Sequence, residues 1–160
     1  MDTAWHLHAA QMEWTGKVDV KAGFILTLDA AAVTAGVALL ADGMVFHGIT
    51  ESWLQVPYGL SLLLFIVAAL LAAWAVAPAL RPGKLKEEAQ VDFIYFGHAR
   101  YWEADDLVEA LVKRDTLPVV MRQVVRMAQI TWNKHRRVAW STWLTSAGVV
   151  LMALTGWALS

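Results

Sequence analysis

The chain has 160 residues, of which 58% are hydrophobic and 17% charged, whereas a soluble domain is about half apolar and about a quarter charged. It contains no cysteine, which excludes disulfides, thiol catalysis and cysteine zinc sites. Its net charge is −1, so overall charge indicates no class of partner. Because the apolar residues lie in long blocks, the sequence indicates an all-α integral membrane protein.

Three blocks are long enough to cross a bilayer as helices, and they define the domain organisation. The predicted segments, in chain order, are a cytosolic amphipathic N-terminal helix (1–21), transmembrane helix 1 (22–41), an external loop (42–58), transmembrane helix 2 (59–80), a cytosolic helical region (81–138) and transmembrane helix 3 (139–159). The N-terminal helix lies flat on the inner membrane surface or packs on the cytosolic helices, and the pattern leaves both arrangements open.

The cytosolic region begins with the breaker Arg81-Pro82-Gly83, after which we predict helices over 84–101 and 103–114. Asp115-Thr116 then offers a helix N-cap, and Pro118 suits a first helical turn. Nothing interrupts the chain between that turn and the third span. We therefore expect the last cytosolic helix to be continuous with transmembrane helix 3.

The Lys and Arg residues occur only in the segments that lie on one side of the predicted membrane spans. All 13 Lys and Arg residues lie before residue 22 or in the 81–138 region, and the 42–58 loop contains none. Cytoplasmic loops carry the excess of Lys and Arg. The distribution therefore predicts a cytoplasmic N-terminus and an external C-terminus.

Asp29 is the one charged residue inside a predicted span. An acid at mid-membrane costs at least about 2.5 kcal/mol, so such residues face a bundle interior or water. Asp29 is either a pore-lining or gating acid or an interhelical hydrogen-bonding group that only stabilises the bundle. Lys21 lies about two turns earlier on the same face, and Thr27 is close enough in sequence to bond nearby. The candidate pore or gating residues are Asp29, Lys21, Thr27 and Asp19.

A basic stripe follows the long cytosolic helix. Arg122 and Arg126 can share a face, and more cations stand near the membrane. The candidate ligand-binding residues are Arg122, Arg126, Lys134, Arg136 and Arg137. They bind an anionic nucleotide or oligonucleotide, or they only fix orientation and contact anionic lipid.

Small residues on spans 1 and 3 favour close helix packing, and three helices alone cannot enclose a water path. We therefore expect a homo-oligomer in the lipid bilayer, with a tetramer as the working number, and the alternative is close packing within a single three-helix unit. No catalytic motif and no metal-binding spacing is present. The sequence thus predicts neither an enzyme nor a cofactor.

Two segments carry a family resemblance. The stretch WTGKVDVKAGFILTLD (14–29) resembles the signature of the bacterial Pycsar effector family, in which an Asp-x-Lys-Ala/Gly sequence runs into the first span. The stretch FIYFGHARYWEADDLVEAL (93–111), followed by the basic WNKHRRVAW (132–140), is similar to the Phe-Gly-His segment and closing basic helix of the same family. The layout of two spans, a cytosolic helical region and a final span also matches.

The resemblance implies a multi-pass effector of the bacterial inner membrane, acting in an anti-phage abortive-infection system. Its regulatory ligand would be a nucleotide second messenger or an oligonucleotide, made by a neighbouring cyclase or nucleotidyltransferase. The effector would be a gated channel or a membrane-disrupting assembly, opened or held shut by that ligand. The alternative is a non-conducting membrane scaffold or a regulatory subunit of a larger membrane complex.

Overall fold

The regular structure consists of helices only. The computed structural model describes residues 1–47, 49, 52–78 and 85–159, and no strand occurs among them. The helices are α1 (Asp2–Ala38), α2 (Ser52–Val76), α3 (Leu85–Glu88), α4 (Phe96–Ala99), α5 (Ala104–Lys113) and α6 (Leu117–Leu159). By length and composition, α1, α2 and α6 can each cross a membrane. The predicted all-α fold with three spanning helices is confirmed, while the membrane boundaries along the helices stay a prediction.

The last helix runs without interruption for 43 residues. Its start is fixed locally, because the Leu117 backbone N–H donates to the Asp115 carboxylate at 3.0 Å and Pro118 occupies the first turn. No glycine or proline near its middle provides a break. The predicted continuity between the last cytosolic helix and the third span is confirmed.

The prediction of one helix over 84–101 is wrong for the residues that the structure describes. Helix α3 ends at Glu88, the chain turns, and α4 begins only at Phe96. Within the intervening segment Asp92 is buried and bonded to Arg122 of α6 at 2.8 Å. This distant contact outweighs the local helical pattern. The predicted breaker at 81–83 lies outside the described residues.

The chain divides into two compact units. Unit 1 comprises Met1–Lys17 and Pro78–Trp132, and unit 2 comprises Val18–Ala77 and Asn133–Ser160. Helices α1 and α6 each contribute residues to both units.

In unit 2, small residues allow the helices to approach closely. Ala68, Ala72 and Ser141 are each fully buried. The Ser141 hydroxyl donates to the Ala68 carbonyl of α2 at 2.8 Å. Large apolar side chains instead point outwards, with Phe24 74% and Trp143 71% exposed. This distribution is typical of helices that face lipid.

Gly148 provides one of these close contacts. A Cβ at this position would lie 2.9 Å from Cε1 and 3.1 Å from Cδ1 of the buried Phe65 ring. We expect Gly148→Ala to lower the free energy of unfolding by about 1–2 kcal/mol, because overpacking outweighs the gain in helix propensity. Thermal denaturation of the purified protein in detergent measures the effect. Gly23→Ala is the matched control, since nothing lies within 4 Å of its added Cβ, and equal melting temperatures for the two variants would contradict the packing.

In unit 1, the beginning of α1 packs on α6. Ala4 lies in a buried cluster with Val120 and Val124. The hydroxyl oxygens of Thr15 and Thr131 are 2.6 Å apart. Of the two arrangements left open by the sequence, these contacts favour packing on the helical region over lying flat on the membrane.

Candidate functional site

Asp29 of α1 is fully buried inside unit 2. The Thr145 hydroxyl of α6 lies 2.8 Å from Asp29 Oδ1 and 2.9 Å from the Ser141 carbonyl oxygen. Asp29 Oδ2 has no hydrogen-bond partner among the described residues. The single Thr145 hydroxyl proton is therefore shared between Asp29 Oδ1 and the Ser141 carbonyl oxygen, and Asp29 Oδ2 is left without a donor in the described part of the chain. Such an acceptor-rich site is costly in a dry bundle, which marks it as a functional candidate.

The other predicted gating residues lie elsewhere. The Asp19 carboxylate pairs with the Lys134 ammonium at 2.6 Å. The Thr27 hydroxyl donates to a carbonyl one turn earlier in its own helix, at 3.0 Å. Lys21 is exposed. In the described part of the chain no contact joins any of these three side chains to Asp29.

Arg122 and Arg126 belong to a charged network in unit 1. The Asp92 carboxylate accepts from Arg122 at 2.7 Å and from Arg126 at 3.2 Å. Glu88 Oε2 lies 3.5 Å from Arg126 Nη1 and 3.1 Å from the Nε2 of the fully buried His98. Two arginines and two carboxylates thus compensate each other. An anion that bound both arginines would have to displace at least one carboxylate.

The three basic residues nearer the third span occupy three different environments. Lys134 is 5% exposed and paired as described above. The Arg137 guanidinium lies over the Trp74 ring, 4.0 Å from its centroid, at cation–π distance. Arg136 is exposed. These three residues belong to unit 2, whereas Arg122 and Arg126 belong to unit 1.

A mixed aromatic and basic cleft surrounds Trp102 in unit 1. It consists of two adjoining recesses of about 280 and 360 Å³ that share Trp102 and Asp106. Lys86 and Tyr101 line the first recess, and Arg114 lines the second. We call this feature the Trp102 cleft. The volume of each recess is near the lower end of the range of about 300–1,000 Å³ for small-molecule sites.

Several residues of these sites are not among those predicted from the sequence. Thr145 is one of them, and its contact with Asp29 joins two helices that are distant in sequence. Glu88 and Asp92 were not considered, although their spacing of four residues matches that of Arg122 and Arg126. Complementary charges at the same helical spacing were a usable signal.

Comparison with protein-family models gives a match over residues 3–160 to the family described as Pycsar effector protein domain. This match covers nearly the whole chain and confirms the resemblance found in the two sequence stretches. Comparisons with curated proteins and with solved structures give no match.

Proposed function

The chain belongs to the Pycsar effector domain family, and on that premise we propose that it is a nucleotide-controlled effector that makes the bacterial inner membrane permeable during phage infection. Family membership makes it an anti-phage membrane effector tied to cyclic-nucleotide signalling, with the nucleotide supplied by a partner cyclase. Permeabilisation, the binding site and the oligomeric state are the parts that we add.

The observation that carries the proposal is the buried Asp29–Thr145 contact between α1 and α6. In the resting state the carboxyl group is enclosed by the bundle. When α1 moves away from α6 in the activated state, water reaches Asp29 and stabilises its charge. Ion conduction requires a hydrated polar lining along the path, and a charged carboxyl group in contact with water provides one.

A water path between helices needs more than one copy of this bundle. Hydroxyl groups on the outer surface of α1 and α6 offer a contact face for further copies. Thr27, Thr34, Thr142 and Ser146 are exposed, and each donates to a carbonyl four residues earlier. Their own bonds are therefore satisfied while their small side chains allow close approach. We propose a homo-oligomer, with a tetramer as the working number, a cytoplasmic N-terminus and an external C-terminus.

The alternative is a non-conducting scaffold or regulatory subunit. The internal pairing of Arg122 and Arg126 favours it, because these charges then have a structural role without any ligand. A scaffold would leave the membrane potential unchanged under every condition.

The test is the membrane potential and growth of cells that express the protein alone or together with a partner cyclase that makes cyclic nucleotides. Depolarisation that depends on an active cyclase would support the proposal with the nucleotide as opener. Depolarisation by the protein alone, reversed by the cyclase, would support it with the nucleotide as the closing ligand. Fully polarised, growing cells in both conditions would contradict permeabilisation and favour the scaffold.

A further inference from the structure

The cationic groups of unit 1 differ in how far their charge is already compensated. Arg122 and Arg126 share two carboxylates, as described above. Arg114, in contrast, donates to the Gln90 backbone carbonyl at 2.7 Å, and in the described residues no carboxylate pairs with Arg114 or Lys86. A backbone carbonyl orients a guanidinium and leaves its charge available. Arg114 and Lys86, which line the Trp102 cleft, are therefore cations of this unit whose charge no described carboxylate compensates.

The same cleft offers aromatic surface. Trp102 and Tyr101 both line the first recess. The Arg114 guanidinium lies 5.5 Å from the centroid of the Trp102 ring, and the Phe93 ring meets it edge-on at 6.0 Å. Aromatic rings beside cations are the combination on which nucleobases pack while their phosphates are neutralised. The buried Trp102 indole N–H has no acceptor among the described residues, so this side chain is not held by a hydrogen bond of its own.

Acidic side chains limit the charge that the cleft accepts. Asp106 lines both recesses, and Glu109 in the second pairs with Lys113 at 2.6 Å. A ligand with several negative charges would meet these carboxylates, whereas a single phosphodiester would be compensated by Arg114 and Lys86. Asp106 can also accept a hydrogen bond from a base amino group or a ribose hydroxyl.

We propose that the Trp102 cleft binds a cyclic mononucleotide, with the base packed against Trp102 and Tyr101 and the phosphodiester facing Arg114 and Lys86. This inference rests on the proposed function, because it gives the controlling nucleotide its binding site. The site is distinct from the Arg122–Arg126 network that the sequence favoured. It holds one nucleotide rather than an oligonucleotide, because each recess is small and is lined by acidic side chains.

The test is equilibrium binding of the four radiolabelled 3′,5′-cyclic mononucleotides to the full-length protein in detergent. We expect at least one of them to bind, and Trp102→Ala to weaken its binding about 10- to 100-fold, as expected for loss of base stacking. Arg114→Glu changes an exposed side chain and should weaken binding at least about 10-fold. It therefore tests the site even if Trp102→Ala fails to fold. Linear nucleoside triphosphates should compete poorly.

The controls are Trp132→Ala, at a tryptophan that is 70% exposed on α6, and Lys17→Glu, at an exposed cation of the same unit. Both should bind as the wild type does. Wild-type binding that persists in both cleft variants, or that Arg122→Glu abolishes while the cleft variants retain it, would overturn the cleft but not the proposed function. No binding of any cyclic mononucleotide by the wild type would overturn nucleotide control itself, and the cleft with it.

Discussion

Replacement of Asp29 by Asn is expected to abolish cyclase-dependent depolarisation while leaving the protein folded in the membrane. The amide has nearly the same shape as the carboxyl group and adds N–H donors to a site that holds too many acceptors, among them the Ser141 carbonyl. It therefore fits the closed bundle at least as well as Asp29. It cannot become charged, so the opened path loses its hydrated lining. We expect the depolarisation rate to fall at least about 10-fold.

A potential-sensitive dye in cells that co-express the cyclase measures this effect, with membrane fractionation to confirm insertion. Thr145→Val should weaken the closed state, because it removes the hydroxyl that contacts Asp29. Thr155→Val is the matched control on the same helix, since its buried hydroxyl donates to the carbonyl of Leu151 within α6 and does not contact Asp29. Wild-type depolarisation by the Asn variant would show that Asp29 has only a structural role.

Replacement of Asp92 by Asn is expected to destabilise unit 1 by about 2 kcal/mol, which corresponds to a fall of about 4–8 °C in melting temperature. This carboxylate is the shared acceptor of two arginines. Its loss leaves two positive charges on one helix face, with Glu88 as the remaining partner among the described carboxylates. The effect is smaller than for a fully buried pair because the Arg122 side chain is 42% exposed.

Thermal denaturation in detergent, followed by circular dichroism, measures the Asp92 effect. The matched control is Asp105→Asn in α5, an exposed acid at the start of that helix. Equal melting temperatures for the two variants would show that the network contributes nothing to stability. If Arg122→Ala restores part of the stability lost in the Asp92 variant, the loss arises from uncompensated positive charge.

The spanning helices were predictable because their signals are local. The apolar blocks are long enough to cross a bilayer, and Asp115 and Pro118 mark the start of α6 in the sequence itself. The error over 84–101 has a different origin. Asp92 leaves the helical path because its partners are Arg122 and Arg126, and no pattern within 84–101 contains that information.

Single residues of the candidate sites could be predicted from the sequence, but the contacts between them could not. Asp29 stood out as a single acid in an apolar stretch, but its contact with Thr145 joins positions 116 residues apart. Lys21 was paired with it because the two lie about two turns apart on one predicted helix face, yet helix α1 directs Asp19 towards a charged partner, Lys134. The role of Asp29 in gating and that of the basic residues in ligand binding remain predictions.

The contacts between α1 and α6 can form only late in synthesis, because the two helices lie at opposite ends of the chain. Within unit 2, Asp29 meets Thr145 and Asp19 meets Lys134 across separations of 116 and 115 residues. At about 5–20 residues per second, the ribosome needs on the order of ten seconds to make the intervening chain. During that interval the first helix carries an acid, Asp29, whose hydroxyl donor has not yet been translated. The stabilising contacts of α1 therefore form only after α6 has been made, and a chain that terminated before α6 would leave the Asp29 carboxyl group without Thr145.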